Sequence, residues 1–527
     1  MKSTVPLRNK RHLAHEQAGI CMTGPRSLLI RGARILTLDD QSCEWPCADI
    51  LVIDGRIEAI GPDLQAPVPD IRTIDARGML AMPGLVNAHF HSPGNFLKGQ
   101  LDGYPLEVFM LYEVPPLAQQ ADSYRFAYLR TLMGALEMLE RGITSVHDDA
   151  YHVPVASRES IDAVMQAYAD AGIRATVAID QPNVVEYDKF PYLKELLPPA
   201  LRLEMEGAPR QDMDELLALY AYMLKRWHGQ ADGRLSAAVS CSAPQRVTEP
   251  YFLALHELSR GHDLPFNIHI LETKLQRATG HERFGCSLVR HVHNLGILDA
   301  RSQIIHAIWI DDDDVCLLAQ ADAVVAHNPV CNLRLGSGVM PFRALRDAGV
   351  TVAIGTDELC TDDTANVWQA GKMAGLIHNL STPDFDQWPR AHEILRAMTR
   401  GGARAIRRAG EVGQLSTGAQ ADIILLELDT WAFTPFNNLE RQLVYSEDGS
   451  SVRTSVVAGE VVMENGRHVR LNASSIRAEI RELAMAIGAQ MSESHAAAQR
   501  MLPYYRAMYD RAHAVPSGMV RRLVASD

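Results

Sequence analysis

The chain has 527 residues, 47% hydrophobic and 22% charged, an ordinary globular composition with ample material for a core. Its formal net charge of −13 argues against a nucleic-acid or anionic-membrane partner and fits a soluble enzyme acting on a small molecule. The eight cysteines are scattered without a CxxC pair, and no run of about 18 apolar residues exists. Reduced thiols in the cytoplasm are therefore expected, with no membrane span.

Residues 1–26 are polar and basic without a secretory apolar stretch, and read as a disordered tail. From Ser27 to Met82 come short alternating runs: SLLIRGARILTLDD, ADILVIDGRIEAIG and IRTIDARGMLAM. Asp54-Gly55 between two of them is a hairpin signal. So small an antiparallel unit needs a partner segment to bury its core.

The rhythm then changes to strand and helix in alternation, eight times over residues 83–408. The apolar strands are GLVNAHFH, ITSVHDD, IRATVAID, LSAAVSC, PFNIHIL, QIIHAIW, AVVAHN and VTVAIGTD. Between them lie amphipathic stretches, clearest at Tyr124–Arg141, Ile161–Ala171, Met213–His228, Tyr251–Arg260, Val315–Gln320 and Pro341–Asp347. Near-continuous apolar strands separated by helices imply a parallel sheet covered on its faces. Eight units suggest a (β/α)8 TIM barrel, with the site at the C-terminal strand ends. The alternative, an open doubly wound sheet, would usually show a Gly-rich turn after its first strand, and none is present.

Two connections stand out. Ser92–Pro116 is too apolar for a solvated loop and should cover the site or a subunit contact. Gln181–Arg210 is a candidate lid, or a surface loop with a helix or two. After about Ala409 the β pattern returns in GQLSTGAQADIILLEL and SVRTSVVAGEVVMENGRHV. These strands should join the N-terminal ones in a small β-sandwich built from both ends of the chain, 27–82 with 409–470. Residues 471–527 read as helices packed across the barrel or a neighbour, or as a solvated extension.

The first barrel strand ends in His89 and His91. Residues i and i+2 of a strand share a face, so the two imidazoles make half of a metal site or, more plainly, two histidines at a sheet edge. The rest of the chain decides between these. His269 and then Glu272 lie at the end of the fifth strand, His306 at the sixth and Asp357 at the eighth. Each is a polar group ending an apolar run, where a buried group needs partners. Three imidazoles and a carboxylate suit one divalent metal ion, Zn2+ ahead of Fe2+, with a position open to water. Glu272 is placed to carry a proton from water to a leaving group. Asp357 can touch metal and hold the hydroxide, and His306 can polarise the atom gaining negative charge.

PGLVNAHFH, HILET, His306, HNPVCNLRLGSG at 327–338 and IGTD at 354–357 together resemble the amidohydrolase superfamily. The nearest branch is that of aminohydrolases and chlorohydrolases, which holds adenosine-type, guanine and cytosine deaminases and the s-triazine hydrolases. The resemblance implies that His89, His91, His269 and Asp357 bind one metal, that Glu272 is the proton shuttle and that His306 contacts substrate or water. It also implies a homodimer or higher homo-oligomer. Between Trp227 and Thr273 there is no lysine, which argues for a mononuclear centre rather than one bridged by a carboxylated lysine. The segment Cys241-Ser-Ala-Pro-Gln-Arg246 departs from the branch: Ser242 stands where many of its deaminases carry a histidine, which weighs against an adenosine-type substrate. His147, Gln245, His327 and Glu358 are candidate substrate contacts, whereas His291 and His293 diverge by about 200° on a helix and read as its surface.

The expected activity is hydrolytic deamination of an amino-substituted nitrogen heterocycle. Hydrolytic dechlorination, or cleavage of an amide, urea or carbamate, is the alternative on the same scaffold. A catalytically dead relative would be expected to have lost ligands, and all are present.

Overall fold

Eight strands, buried on both faces and rich in Val, Ile and Ala, run parallel around one axis in the computed structural model. It describes residues 26–67 and 70–522, with the backbone alone at 489–492. The expected tail therefore lies outside the described residues except for Arg26.

The strands are Leu85–Phe90, Ile143–Tyr151, Arg174–Asp180, Leu235–Ala237 continuing as Val239–Ser240, Phe266–Ile270, Ser302–His306, Val324–His327 and Thr351–Ile354. They form two arcs. On one side the arcs meet within the split fourth strand. Ala238 N–H donates to Val177 C=O on the third strand (2.7 Å), and Val239 N–H to Pro265 C=O before the fifth (2.9 Å). On the other side the first and last strands meet. There Asp357 N–H donates to His89 C=O at 3.0 Å. The Asn87 side chain closes the same seam, donating to Thr356 Oγ1 (2.8 Å) and accepting from Thr356 N–H (3.0 Å). The ring is closed, as the expected TIM barrel requires.

Capping explains where the covering helices start. Ser123 accepts from Phe126 N–H at the head of Tyr124–Glu140, Ser157 and Ser160 form a reciprocal box before Arg158–Ala171, and Asp212 and Glu215 do the same before Met213–Arg226.

Both chain ends contribute to a second sheet of nine strands. Its join is the antiparallel pair Met79–Pro83 with Ile423–Glu427, where Met82 faces Ile424. One core gathers Ile50 and Ile57 from the N-terminal strands with Val456 and Val461 from the C-terminal ones, so the sheet curls over itself. The Asp54-Gly55 turn lies against the Ala458-Gly459 turn, where a Cβ added at Gly459 would come within 2.6 Å of Gly55 Cα.

Sheet and barrel are tied by a buried ion pair. Arg174 grips Asp422 through Nε (2.9 Å) and Nη2 (3.0 Å), and Asp422 also accepts from Ala458 N–H (2.7 Å). Among the described residues, no helix is long and apolar enough to cross a membrane.

The C-terminal helices, Ala473–Gln499 and Leu502–His513, are docked. Arg125 holds Glu479 of the first. The second buries Tyr505, Met508 and Ala512 in an apolar cluster with Phe109 and Leu111 of Leu106–Glu113 and with Tyr187, Phe190 and Leu193 of the excursion after the third strand. This cluster sits over the barrel mouth.

Replacing Asp422 with alanine would strand the Arg174 guanidinium in the interior, so Asp422→Ala should cost about 3–5 kcal/mol of stability. Chemical denaturation of the variant beside the parent protein checks this.

Candidate active site

The four expected ligand residues meet at the closing seam in two overlapping groups whose ligand atoms lie within 4.8 Å of one another, His89 with His91 and Asp357, and His89 with His269 and His306. His269 Nε2 lies 3.2 Å from His89 Nε2 and 3.3 Å from His91 Nε2. Asp357 Oδ1 lies 3.6 Å from both His89 Nε2 and His91 Nε2. The edge of a tetrahedron around Zn2+ with bonds of about 2.1 Å is about 3.4 Å. All four residues are buried.

The outer nitrogens set the direction of the inner ones. His91 Nδ1 donates to the Asp149 carbonyl, and His269 Nδ1 donates to the Ser242 carbonyl at 2.8 Å. Both rings therefore turn a lone pair inward from Nε2. Two lone pairs facing each other at 3.3 Å repel unless a cation lies between them. Burial also pushes His89 and His269 well below the usual imidazole range and His91 down to about 3, so these rings are neutral and able to ligate. The donor set and its spacing fit a divalent metal ion.

Beside this cluster stands a second pair. His306 Nε2 is 3.4 Å from Glu272 Oε2 and 3.6 Å from Asp357 Oδ2, while its Nδ1 bonds Asn332 Oδ1 at 2.9 Å. Ser337 Oγ donates to Glu272 Oε1 at 3.2 Å. Burial, reinforced by Glu107, pushes Glu272 up to about 8. Burial also raises Asp357, to about 6.

The backbone is forced where these side chains emerge. Ser242, Leu271, His306 and Asp357 have φ of 61°, 55°, 75° and 63°. Positive φ costs a non-glycine residue roughly 1–3 kcal/mol and recurs where side chains must be aimed.

A cavity of about 60 Å³ opens on the cluster, with His91, His269, Glu272, His306 and Asp357 on its floor. Leu106, Phe109, Met110 and Glu113 form one wall, so the apolar connection after the first strand does cover the site. Glu358, an expected substrate contact, lines the cavity and accepts from Cys360 Sγ.

The other three expected contacts do not line it. His147 points into the barrel interior and bonds Gln303 Oε1 at 2.7 Å. His327 turns to the helical layer, where its Nε2 meets His378 Nε2 at 3.1 Å. Its neighbour Asn328 faces inward instead, 3.4 Å from Asp357 Oδ2. Gln245 is buried beside the cavity, and Arg246 takes the position on the wall.

The amidohydrolase family's sequence profile matches residues 80–462. The chain belongs to the amidohydrolase family. A 5-methylthioadenosine/S-adenosylhomocysteine deaminase of Nitratidesulfovibrio vulgaris is 30% identical over 464 residues, covering 88% of this chain and 98% of the relative. An adenosine deaminase from Xanthomonas campestris with bound zinc superposes with a TM-score of 0.76 at 25% identity, over 89% of this chain and 100% of that one. A zinc-complexed atrazine chlorohydrolase from Arthrobacter aurescens TC1 gives 0.74 at 26% identity, over 87% and 100%. These likenesses bear out the expected branch and the expectation of a hydrolase acting on non-peptide C–N bonds.

Sequence reasoning passed over several residues of this amidohydrolase site. Asp149 and Asn332 orient histidines, Ser337 holds Glu272, and Glu113 comes from a helix on the covering connection. None follows a spacing rule, because each reaches the site through the packing of a loop or neighbouring strand.

At Gly355 no side chain fits the seam. An added Cβ would lie 2.4 Å from Asn328 Oδ1 and 2.9 Å from His89 Cβ. Gly355→Ala should displace the His89 strand, weaken metal retention and cost about 1–3 kcal/mol. Metal content per chain and thermal denaturation of the purified variant check it.

Proposed function

We propose that this amidohydrolase is a mononuclear metal-dependent aminohydrolase that deaminates an amino-substituted nitrogen heterocycle. The observation that carries the reading is the approach of both His269 Nε2 and Asp357 Oδ1 to the His89–His91 pair, with Glu272 across His306 from them. His89, His91, His269 and Asp357 would hold the ion, zinc before iron. Support for zinc comes from the donor set and from the zinc-bound neighbours. The fourth barrel strand carries no lysine, which supports a single ion.

Bound there, the ion supplies Lewis acidity and makes water a nucleophile near neutral pH. The residues do the rest. Glu272 takes a proton from the attacking water and delivers it to the departing amino nitrogen. A nearby cation favours its ionised form, which brings a carboxyl held near 8 toward the range where it can both accept and donate. His306, fixed by Asn332, directs Nε2 between the two carboxylates to the ring atom under attack. The Asp357 carboxylate, held by Asn328, faces the same point. The net change is ring C–NH2 plus water to ring C=O plus ammonia.

A cytoplasmic location fits the described cysteines, seven free thiols. A homo-oligomer remains part of the reading through the family resemblance. The second reading is hydrolytic dechlorination, which the likeness to the zinc-bound chlorohydrolase favours.

Metal-replete protein should release ammonia from at least one member of a panel of amino-purines, amino-pyrimidines, pterins and amino-triazines, and chelation should abolish it. Chloride release from chlorinated rings without ammonia would transfer the reading to dechlorination. Glu272→Gln should lower kcat by ~10²–10⁴ while keeping metal. His89→Ala should lose metal and rate together, and full metal occupancy in that variant would refute the ligand assignment.

A further inference from the structure

Five arginines in the described chain are more than nine-tenths buried: Arg130, Arg174, Arg234, Arg246 and Arg277. Four hold a carboxylate: Arg130 has Asp122, Arg174 has Asp422, Arg234 has Glu460 and Arg277 has Asp311. A guanidinium taken out of water needs such a partner. Arg246 has none among the described ion pairs.

Its hydrogen bonds are also incomplete. Nη1 donates to Ser242 Oγ at 3.1 Å, Nη2 meets only the thioether Sδ of Met110 at 3.0 Å, and Nε has no partner. The nearby carboxylate on the wall, Asp180, is bonded to Ser242 instead. Sulfur is a weak acceptor, so most of the guanidinium's donating capacity is unspent. Arg246 lines the cavity whose floor holds His269, Glu272 and Asp357. Asp180, Glu107, Glu113 and Glu272 face the Arg246 charge, but none is within ion-pair distance among the described residues, so the unspent donors are open to a group that enters that cavity.

We propose that Arg246 is a specificity-determining residue that receives an oxygen acceptor carried by the substrate ring, either an oxo group or a carboxylate, with Ser242 holding the guanidinium in place. The planar fork of donors suits such an oxygen better than a ring nitrogen alone. The proposal rests on the aminohydrolase reading. It also separates this chain from its deaminase relatives named for adenosine derivatives, because an adenine ring bears no exocyclic oxygen. Ser242, which replaces a histidine of that branch, is the residue that bonds Arg246.

The test uses zinc-loaded full-length protein and a matched ring series: 2-aminopyrimidine, its 4-oxo derivative and its 4-carboxylate. Ammonia release gives kcat/KM and calorimetric titration gives Kd, for the parent protein and for Arg246→Gln and Arg246→Lys. An oxygen-bearing ring should be favoured by roughly ten- to hundredfold in the parent. The preference should vanish in Arg246→Gln and survive in part in Arg246→Lys, with zinc content unchanged. Preference for the 4-oxo ring assigns the oxo group, and preference for the 4-carboxylate assigns the carboxylate. No preference in the parent protein, or one that survives in Arg246→Gln, overturns the proposal. If Arg246→Gln does not fold, an undiminished preference in Arg246→Lys overturns it and a reduced one supports it. If none of these three rings releases ammonia, the wider panel of amino-heterocycles decides the aminohydrolase reading, while the titrations still decide Arg246: oxygen-dependent binding upholds its role and its absence ends it.

Discussion

The hydrogen bond from Asp357 N–H to His89 C=O does two jobs at once. It closes the ring between the first and last strands, and it fixes a carboxylate opposite the His89–His91 pair. Asn87 and Thr356 clamp the same seam from below through a reciprocal pair of bonds. Gly355 lets the two strands approach so closely because it has no Cβ. An open sheet would leave His89 and Asp357 at opposite edges. Closure of the barrel is thus a condition for the ligand cluster, not only a scaffold for it.

The second constraint is electrostatic. The site collects neutral imidazoles and several carboxyl groups in a place that water scarcely reaches. Burial lowers His89, His91 and His269 and raises Glu272 and Asp357, so the cluster is in its least charged form on its own. A divalent cation reverses the balance for the carboxyls without protonating the imidazoles, since it binds the lone pairs that a proton would take. The carbonyls of Asp149 and Ser242, by holding the outer imidazole nitrogens, make this the stable arrangement of the rings. The same low-dielectric surroundings make Arg246 conspicuous: a charge tolerated there is one with an errand in the cavity.

Much of this was legible in the chain. Apolar strands at regular spacing gave the barrel, and the polar residues ending four of them are the ones that meet at its mouth. The strand period of two explains where several of these side chains point. His89 and His91 share a face and both reach the site. His327 was a candidate substrate contact, yet it is Asn328, one residue on, that faces inward, and His327 lies in the helical layer against His378. In a strand buried on both sides, hydrophobicity does not mark which parity points to the centre. His147 shows the matching problem along the axis: it faces inward but sits too deep, bonded to Gln303 rather than open to the cavity. Gln245 and Arg246 lie in a short turn, Pro244–Arg246, where neither period applies.

The cover over the mouth was the least legible part, and its physics is different. Leu106–Glu113, the excursion after the third strand and Leu502–His513 come from three distant stretches of chain, and each carries an apolar face too small to bury alone. They bury against one another in a cluster distinct from the barrel core. Tyr505 OH adds a bond to Glu186 Oε1 at 3.0 Å, and Arg521 caps the carbonyls of Ile308 and Ile310 just beyond the His306 strand. Amphipathic periodicity in the C-terminal segment could show that it docks, but not on what, because its partners acquire a common surface only once the barrel has brought their strand ends together. The walls contributed by Phe109, Met110 and Glu113 thus depend on helices some four hundred residues away in sequence. The cavity is framed by the long-range cover as much as by the strand ends, which supply its floor.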